Sequence, residues 1–516
     1  MGGRFEMMDR AARPADGLAD RSLEFRGLSE NKAAGAAFLL FFLAWMAIET
    51  ILNADRTLHF DLAEAYAWGK EFQLGYNQHG PFWAWIAGAW FLVFPNTNTS
   101  FVLLEALNAT LGLFGAWMLI GLFTKGWARG AATALLVATP FYTFNAYKYN
   151  ANTIFISLWP WTLYFFIRSV DLMSRRDALF FGMFAAACIL SKYYAAILLA
   201  TCGLSLFFHP NGRRYLLSSL PWIAFAIFVL LVAPHVYWAL TRDAPPVAYA
   251  MSLTGKGWQF TGQHIARFIV DLLLFQAAIA ALLFLARFAS RREGASDGNR
   301  LSPSRRRFLA VLVLAPPVMT ILAAAIFQLK IEAVMMIGIF PLLPLLLMQW
   351  IAPRDSRRCF YLAGGAAAAV TLVTLVAAPF ANSVMASKKE GPSVTFPYRE
   401  LAASVTELWR AETHKPLKYF GSEARTANTV SFYSPDNPSS FVNLEYGRAL
   451  WITPAKLEKD GLLIACVHED AVCLDKASHF LGQNGKQSSL KIGRDIGARH
   501  LPDVTFDIFI IPPRAG

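Results

Sequence analysis

Residues 53–80 read NADRTLHFDLAEAYAWGKEFQLGYNQHG and hold Asp55, Arg56, His59, Asp61, Glu64, Lys70, Glu71 and His79. Asp61, Glu64 and Lys70 fall in a stretch patterned as an amphipathic helix, with Ala63, Tyr66 and Ala67 toward the apolar side. Asp61 and Glu64, three apart, share one face of that helix. An interfacial helix with ordinary surface charges accounts for the same periodicity. A second polar group interrupts apolar runs further on: Tyr147, Lys148, Tyr149, Asn150 and Asn152, then Ser191, Lys192, Tyr193 and Tyr194, then Lys330 and Glu332. A lysine at membrane depth is costly unless paired, although Lys192 and Lys330 taken singly are also explained by snorkelling. Three lysines, His79 and the two carboxylates together suit an anionic, lipid-bound ligand. The cations hold phosphate, and a carboxylate does acid–base work. Arg242, Asp243, Lys256 and Trp258 lie in another loop on the same side, where a cover for such a site and a plain surface loop fit equally.

The elements that position these residues are membrane helices. The chain has 516 residues, 56% of them hydrophobic and only 16% charged, against roughly 25% charged in soluble domains. An apolar run at 34–52 follows a basic tail carrying Arg4, Arg10, Arg13, Arg21, Arg26 and Lys32, and no small-residue cleavage site follows it, so it reads as an uncleaved anchor. Further spans are expected at 101–123, 130–144, 153–168, 178–191, 193–208, 215–238, 263–286, 308–327, 333–350 and 360–382. With 81–94 left as an interfacial or re-entrant segment, eleven spans place 23 Lys and Arg in inner loops against 7 in outer ones, as the positive-inside rule requires. The inner set includes seven between Arg287 and Arg307, and Arg354, Arg357 and Arg358. The net charge of +12 belongs almost wholly to this part. Orientation explains it, and nucleic-acid binding is excluded.

From about Val384 the apolar runs shorten to strand length, as in 462–466 and 506–512, and alternate with helical stretches such as 397–410. The expected architecture is a polytopic α-helical membrane protein of about 11–13 transmembrane helices with a small C-terminal α/β domain on the periplasmic face. Its divisions are a cytoplasmic tail 1–33, a membrane domain 34–383 with a first periplasmic loop 53–100, and the α/β domain 384–516. Cys466 and Cys473 fall on the oxidising side, where a disulfide between them is one option; Cys188, Cys202 and Cys359 read as packing residues.

With these residues in view, the run from Asp61 to Trp85 resembles the first-loop signature of the GT-C superfamily of polyprenyl-phosphate-sugar glycosyltransferases. That branch includes protein O-mannosyltransferases, lipid A aminoarabinose transferases and rhizobial galacturonosyl transferases. The pieces are Asp61, Gly75-Tyr76 and His79-Gly80-Pro81, with LSKYYA at 190–195 and LKIEAVMMIGIFPLLP at 329–344 as second and third blocks. The resemblance implies a GT-C-like bundle in the bacterial inner membrane, a polyprenyl-phosphate sugar as donor and an envelope glycolipid, lipid A or lipopolysaccharide core, as acceptor. It implies Asp61 as general base with Glu64 beside it, and His79, Lys148, Lys192, Tyr193 and Lys330 around the donor phosphate. Tyr76, Asn152 and Arg242 are expected substrate contacts, and transfer is expected to invert the anomeric carbon. Three departures stand out: Leu62 where a Glu often follows the acid, Gly80 in place of the first proline, and Asn152 where many relatives have a second Asp. The last puts a need for a divalent metal in doubt, and no other cofactor is implied. A flippase or transporter is the alternative, but no convincing internal repeat of the kind common in transporters is visible.

Overall fold

The structure is a computed structural model that describes residues 16–514 apart from 243–244, 289–299, 352, 354, 389–390, 483–484 and 497–498. Arg4, Arg10, Arg13, Asp243 and Arg354 lie outside the described residues, as do Arg291 and Arg292 of the seven basic residues between Arg287 and Arg307. The first helix, α1 (Asp16–Leu52), runs into the first loop, where α2 (Phe60–Gly69) and α3 (Phe82–Val93) pack together. Five helices follow: α4 (Asn98–Ile120), α5 (Gly126–Val137), α6 (Phe155–Asp171), α7 (Arg175–Ser191) and α8 (Ala195–Ser205). After the short α9 (Gly212–Leu216) come α10 (Leu220–Leu240), α11 (Pro245–Ser252), α12 (Trp258–Phe288), α13 (Pro303–Phe327), α14 (Leu343–Ile351) and α15 (Ser356–Ser387).

Among the described residues, six helices are long and apolar enough to cross a bilayer: α1 over 31–52, α4, α10, α12, α13 and α15. The shorter α5 to α8 and α14 pack among them, and much of α6 is buried on all sides. Two expected spans differ from their sequence reading. The run 130–144 is helical only to Val137, because Pro140 follows and the chain turns. The run 333–350 is a 3₁₀ turn over Ala333–Met336 and a helix that starts at Leu343, with Pro341 in the interval and Pro344 in the first turn of the new helix. At 12 residues, α3 is about 18 Å long and falls short of a ~30 Å hydrocarbon core. It crosses α2 at two glycines, where a Cβ on Gly69 would sit 2.4 Å from the Ala84 carbonyl oxygen and one on Gly88 2.3 Å from that of Gly69.

The remaining chain folds around a five-stranded sheet. After the one-turn α16 (Pro392–Thr395) come α17 (Tyr398–Thr413), β1 (Tyr419–Ser422), α18 (Ala424–Tyr433), β2 (Ser439–Val442) and α19 (Pro454–Asp460). Then follow β3 (Leu462–Val467), α20 (Ala471–Ser478), β4 (Lys486–Ile496) and β5 (Arg499–Ile511). The order is β2-β1-β3-β5-β4, with β1 parallel to β2 and β3, and β5 antiparallel to β3 and β4. Cys466 on β3 and Cys473 on α20 are joined by a disulfide. Leu463, Ala465, Phe506, Ile508 and Trp409 form the buried core of this unit.

Polar bonds fasten the sheet unit to the first loop. The Tyr433 hydroxyl accepts from the Leu58 amide at 3.0 Å and donates to Asn98 Oδ1 at 2.6 Å. Asn96 Nδ2 donates to both the Tyr66 hydroxyl, at 2.7 Å, and Asn437 Oδ1, at 2.6 Å. Ser439 Oγ donates to Glu71 Oε1 at 2.7 Å, and Arg399 Nη2 to the Arg56 carbonyl at 2.7 Å. Tyr433 is thus a fastening between the two parts.

The glycine crossing gives a direct stability test. Gly69→Ala forces backbone apart, and such overpacking costs about 1–3 kcal/mol. The variant is expected to unfold at a lower temperature in detergent, whereas Gly364→Ala on α15, whose added Cβ meets nothing within 4 Å, is expected to hold or gain.

Candidate active site

His59 caps the start of α2: its Nδ1 accepts from the Asp61 amide at 3.3 Å. Because Nδ1 accepts, the ring proton sits on Nε2. Burial pushes the imidazole pKa below its ordinary value, against the pull of Asp61, and Lys148 and Arg425 push the same way. His59 therefore orients α2 as a neutral ring. Asp61 is in the first turn and 29% exposed, and Glu64 lies one turn on.

A loop between α5 and α6 reaches Asp61 from the bundle. Two buried polar residues of α4 hold that loop: Glu105 Oε1 accepts from the Tyr149 amide at 3.0 Å, and Asn108 Nδ2 donates to the Thr153 carbonyl at 2.8 Å. The Ser157 hydroxyl fixes the other side of the Asn108 amide at 2.6 Å. Within the loop, Asn150 Oδ1 accepts from the amides of Asn152 at 2.7 Å and Thr153 at 3.0 Å. Those two bonds determine which way the Asn150 amide points, so its Nδ2 is the donor to Asp61 Oδ2 at 2.7 Å. Asn152 Oδ1 accepts from the Lys192 ammonium, which lies in the break between α7 and α8. Asn152 is thus an amide bonded to a lysine.

His79 comes close to the same group through Gly80. A Cβ at Gly80 would sit 2.3 Å from the Leu190 carbonyl oxygen near the end of α7, so a proline in its place would meet the same backbone. Burial, then the charge of Lys192, hold the His79 imidazole down at about 3. A cavity of about 250 Å³ lies between the first loop and the sheet unit, lined by Phe60, Asp61, Glu64, Trp68, His79 and Arg448 among others. Burial, and then the neighbouring Asp61 charge, push the Glu64 carboxyl up to about 8 despite the opposing pull of Arg448. At neutral pH Glu64 is therefore a neutral hydrogen-bond donor beside Asp61.

The structure brings together Asp61, Glu64 and His79 at the cavity, with Asn152 and Lys192 behind them. Lys148 is exposed nearby, close enough to act on His59. The other expected contacts have different positions. Tyr76 is 1% exposed, stacks on Trp68 at 4.9 Å and donates its hydroxyl to the Trp68 carbonyl at 2.6 Å, so it braces the cavity wall from behind. His235 Nδ1 donates to the Leu74 carbonyl at 2.7 Å, which leaves Nε2 to accept from the Tyr193 hydroxyl at 2.8 Å. Tyr193 consequently ties the start of α8 to α10. Lys330 pairs with Glu332 at 2.6 Å, each 48% exposed, and Arg242 is exposed beyond the end of α10. Sequence reasoning missed Glu105, Asn108 and Arg448. The first two carried a signal as lone polar residues within an apolar run. Arg448 carried none. Among the described residues no group of three or more His, Cys, Asp or Glu is placed to hold a metal ion.

This arrangement has relatives. The family described as dolichyl-phosphate-mannose-protein mannosyltransferase matches residues 78–238. The crystal structure of ArnT from Cupriavidus metallidurans bound to undecaprenyl phosphate superposes with a TM-score of 0.59 at 14% identity, covering 92% of this chain and 98% of that one. The chain shares the fold of ArnT. The apo form of the same ArnT gives a TM-score of 0.54 at 13% identity over the same shares. The lipopolysaccharide core galacturonosyltransferase RgtA of Rhizobium johnstonii is 24% identical over 292 residues, a match that spans 54% of this chain and 57% of that relative. The ArnT-like fold thus extends over nearly the whole chain, including the sheet unit that closes the cavity.

The raised Glu64 pKa has a measurable consequence. In the folded protein Glu64 keeps its proton up to about pH 8, whereas the unfolded chain releases it near 4.5. The folded state binds the extra proton between those values, so this residue costs stability progressively as pH rises from about 4.5 to about 8. Glu64→Gln should unfold near the wild-type temperature at pH 5 and above it at pH 8.5; equal offsets at both pH values would contradict the raised pKa.

Proposed function

We propose that this protein is an integral-membrane glycosyltransferase acting at the periplasmic face of the inner membrane. It moves a sugar from a polyprenyl-phosphate donor to a hydroxyl of an envelope glycolipid, with lipid A or lipopolysaccharide core as the acceptor class. The observation that carries this reading is the Asp61 carboxylate, lining the cavity and held by the Asn150 amide at 2.7 Å.

The chemistry needs little more. The acceptor oxygen bonds to the anomeric carbon while its proton passes to Asp61. The bond from the anomeric carbon to the phosphate oxygen breaks, and polyprenyl monophosphate leaves with the electron pair. That leaving group needs positive charge rather than a proton, and Lys192, bonded to Asn152 behind the cavity, is the cation on the bundle side that supplies it, with Lys148 at the surface. Neutral Glu64 and neutral His79 orient hydroxyls without competing for the proton. Direct displacement in one step inverts the anomeric centre.

Three further observations support the reading. RgtA is named for transfer to lipopolysaccharide core, and ArnT was crystallised with undecaprenyl phosphate. The Cys466–Cys473 disulfide suits an oxidising compartment for the sheet unit, on the side that the positive-inside bias makes external.

The test uses purified protein in nanodiscs with synthetic polyprenyl-phosphate sugars and an envelope lipid extract, followed by product mass. Asp61→Asn should lower transfer by about 10²–10⁴-fold, the usual weight of a general base, while Glu64→Gln keeps most of the rate at pH 7. With Asn152 bonded to Lys192, transfer should also persist in chelator. Equal losses in the two variants, or an active Asp61→Asn protein, would remove Asp61 from the base role.

A further inference from the structure

The sheet unit contributes one charged side chain to the cavity, and its surroundings leave that charge unbalanced. Arg448 lines the cavity together with Asp61, Glu64 and His79. Its Nε donates to Glu445 Oε2 at 2.9 Å, but Glu445 is shared: its Oε1 accepts from Lys476 Nζ at 2.5 Å. Two cations on one carboxylate leave a net positive charge on this wall. With Nε committed, the terminal Nη1 and Nη2 of Arg448 have no protein acceptor among the described residues. Those two nitrogens are the end of the guanidinium that matches a carboxylate or phosphate with two parallel bonds.

The loop that presents Arg448 is built to hold it still. The turn is closed by the Arg448 and Ala449 amides, which donate to the Glu445 carbonyl at 3.0 and 3.2 Å. Lys476 Nζ also donates to the Asn443 carbonyl at 3.2 Å, and Lys456 Nζ to that of Trp451 at 2.6 Å. Trp451 is buried and meets Tyr76 edge-on at 6.2 Å, which joins this loop to the cavity wall. Two consecutive residues without the freedom of glycine, Asn443 at φ 54° and Leu444 at φ 57°, adopt left-handed backbone just before it. Such conformations cost energy and concentrate where a side chain must be aimed.

The other ionisable groups of the cavity leave the anion role to Arg448. Asp61 is an acceptor, and Glu64 and His79 are neutral at pH 7. Lys192, which serves the phosphate in the proposed reaction, donates to Asn152 on the bundle side. We propose that Arg448 is a specificity residue that grips an anionic group of the substrate, through a paired contact from Nη1 and Nη2, on the side of the cavity opposite the bundle. The chemistry is that of a carboxylate or a phosphate, carried either at C6 of the transferred sugar or on the acceptor glycolipid next to the reacting hydroxyl. This assignment rests on the transferase reading, and it gives the sheet unit a part in selecting substrate.

The experiment separates the two sources. Undecaprenyl-phosphate galacturonic acid and undecaprenyl-phosphate galactose differ only in a carboxylate at C6, and are compared on one acceptor. Phosphorylated and dephosphorylated glycolipids are compared with one donor. Each pair gives a ratio of kcat/KM, anionic over neutral, for wild type, Arg448→Gln and Arg448→Lys, with equilibrium binding of each ligand measured alongside. The side chain is 43% exposed, and unfolding temperatures confirm that the variants are intact. Loss of a charged paired contact should lower the ratio about 10- to 100-fold in Arg448→Gln, with Arg448→Lys between the two. A fall confined to the donor pair assigns the sugar carboxylate, and one confined to the acceptor pair assigns the acceptor anion. Unchanged ratios in both pairs, in turnover and in binding, would overturn the proposal. If wild type turns over no donor while the binding ratio still falls in Arg448→Gln, the transferase reading fails and the anion site stands.

Discussion

A loop at the end of an apolar bundle must find partners for its backbone, because lipid supplies none. The loop 147–153 finds them on α4, in Glu105 and Asn108, and everything at the cavity follows from that anchorage. Glu105 is only 1% exposed on a helix long enough to cross the bilayer, a position that carries a heavy penalty without a fixed partner. The Tyr149 amide is that partner. Once the loop is fixed, Asn150 has no choice of amide orientation, and its one remaining donor meets Asp61. The same loop positions Asn152 against Lys192, so an acid and a cation on separate elements are set by one short segment.

The opposite wall of the cavity is held by a different kind of contact. Between the first loop and the sheet unit the bonds are polar and shared, as in the group formed by Tyr66, Asn96 and Asn437. Aromatic packing of Phe432 against Tyr66, Phe91 and Phe101 backs that group with an apolar layer. The first loop is therefore gripped from both sides. α2 needs the glycine crossing with α3 below it and α18 above it before Asp61 and Glu64 can face a common space. Burial then does the electrostatic sorting, since it keeps a proton on Glu64 and keeps one off the Nδ1 of His59.

Much of this was legible in the sequence, and the exceptions have physical reasons. Strand-length apolar runs located β3 and β5, and the amphipathic run at 397–410 located α17, because each pattern is local. Asp61 and His79 stood out through the first-loop resemblance, since their periodicity alone also fits an interfacial helix with surface charges. Tyr76 entered with the same resemblance but braces a wall, since a tyrosine hydroxyl needs only one carbonyl to be buried comfortably. Arg448 was invisible because its meaning comes from the docking of a remote unit, and a lone arginine in a turn looks like any surface residue. The glycine at position 80 read as a departure from the pattern, and the backbone of Leu190 beside it explains why.

The proposed account reduces the site to one ionised acid that accepts a proton, one neutral acid that orients, a lysine for the leaving phosphate and an arginine for substrate charge. A second ionised carboxylate that could form a covalent sugar intermediate has no place in it. The anomeric configuration of the product therefore tests the account most directly. A polyprenyl-phosphate sugar of defined configuration is transferred, and the new glycosidic linkage is assigned by NMR from its one-bond carbon–proton coupling. The account predicts the inverted configuration in every product. Retention would contradict it, because a carboxylate such as Asp61 would then act as the nucleophile and not as the base.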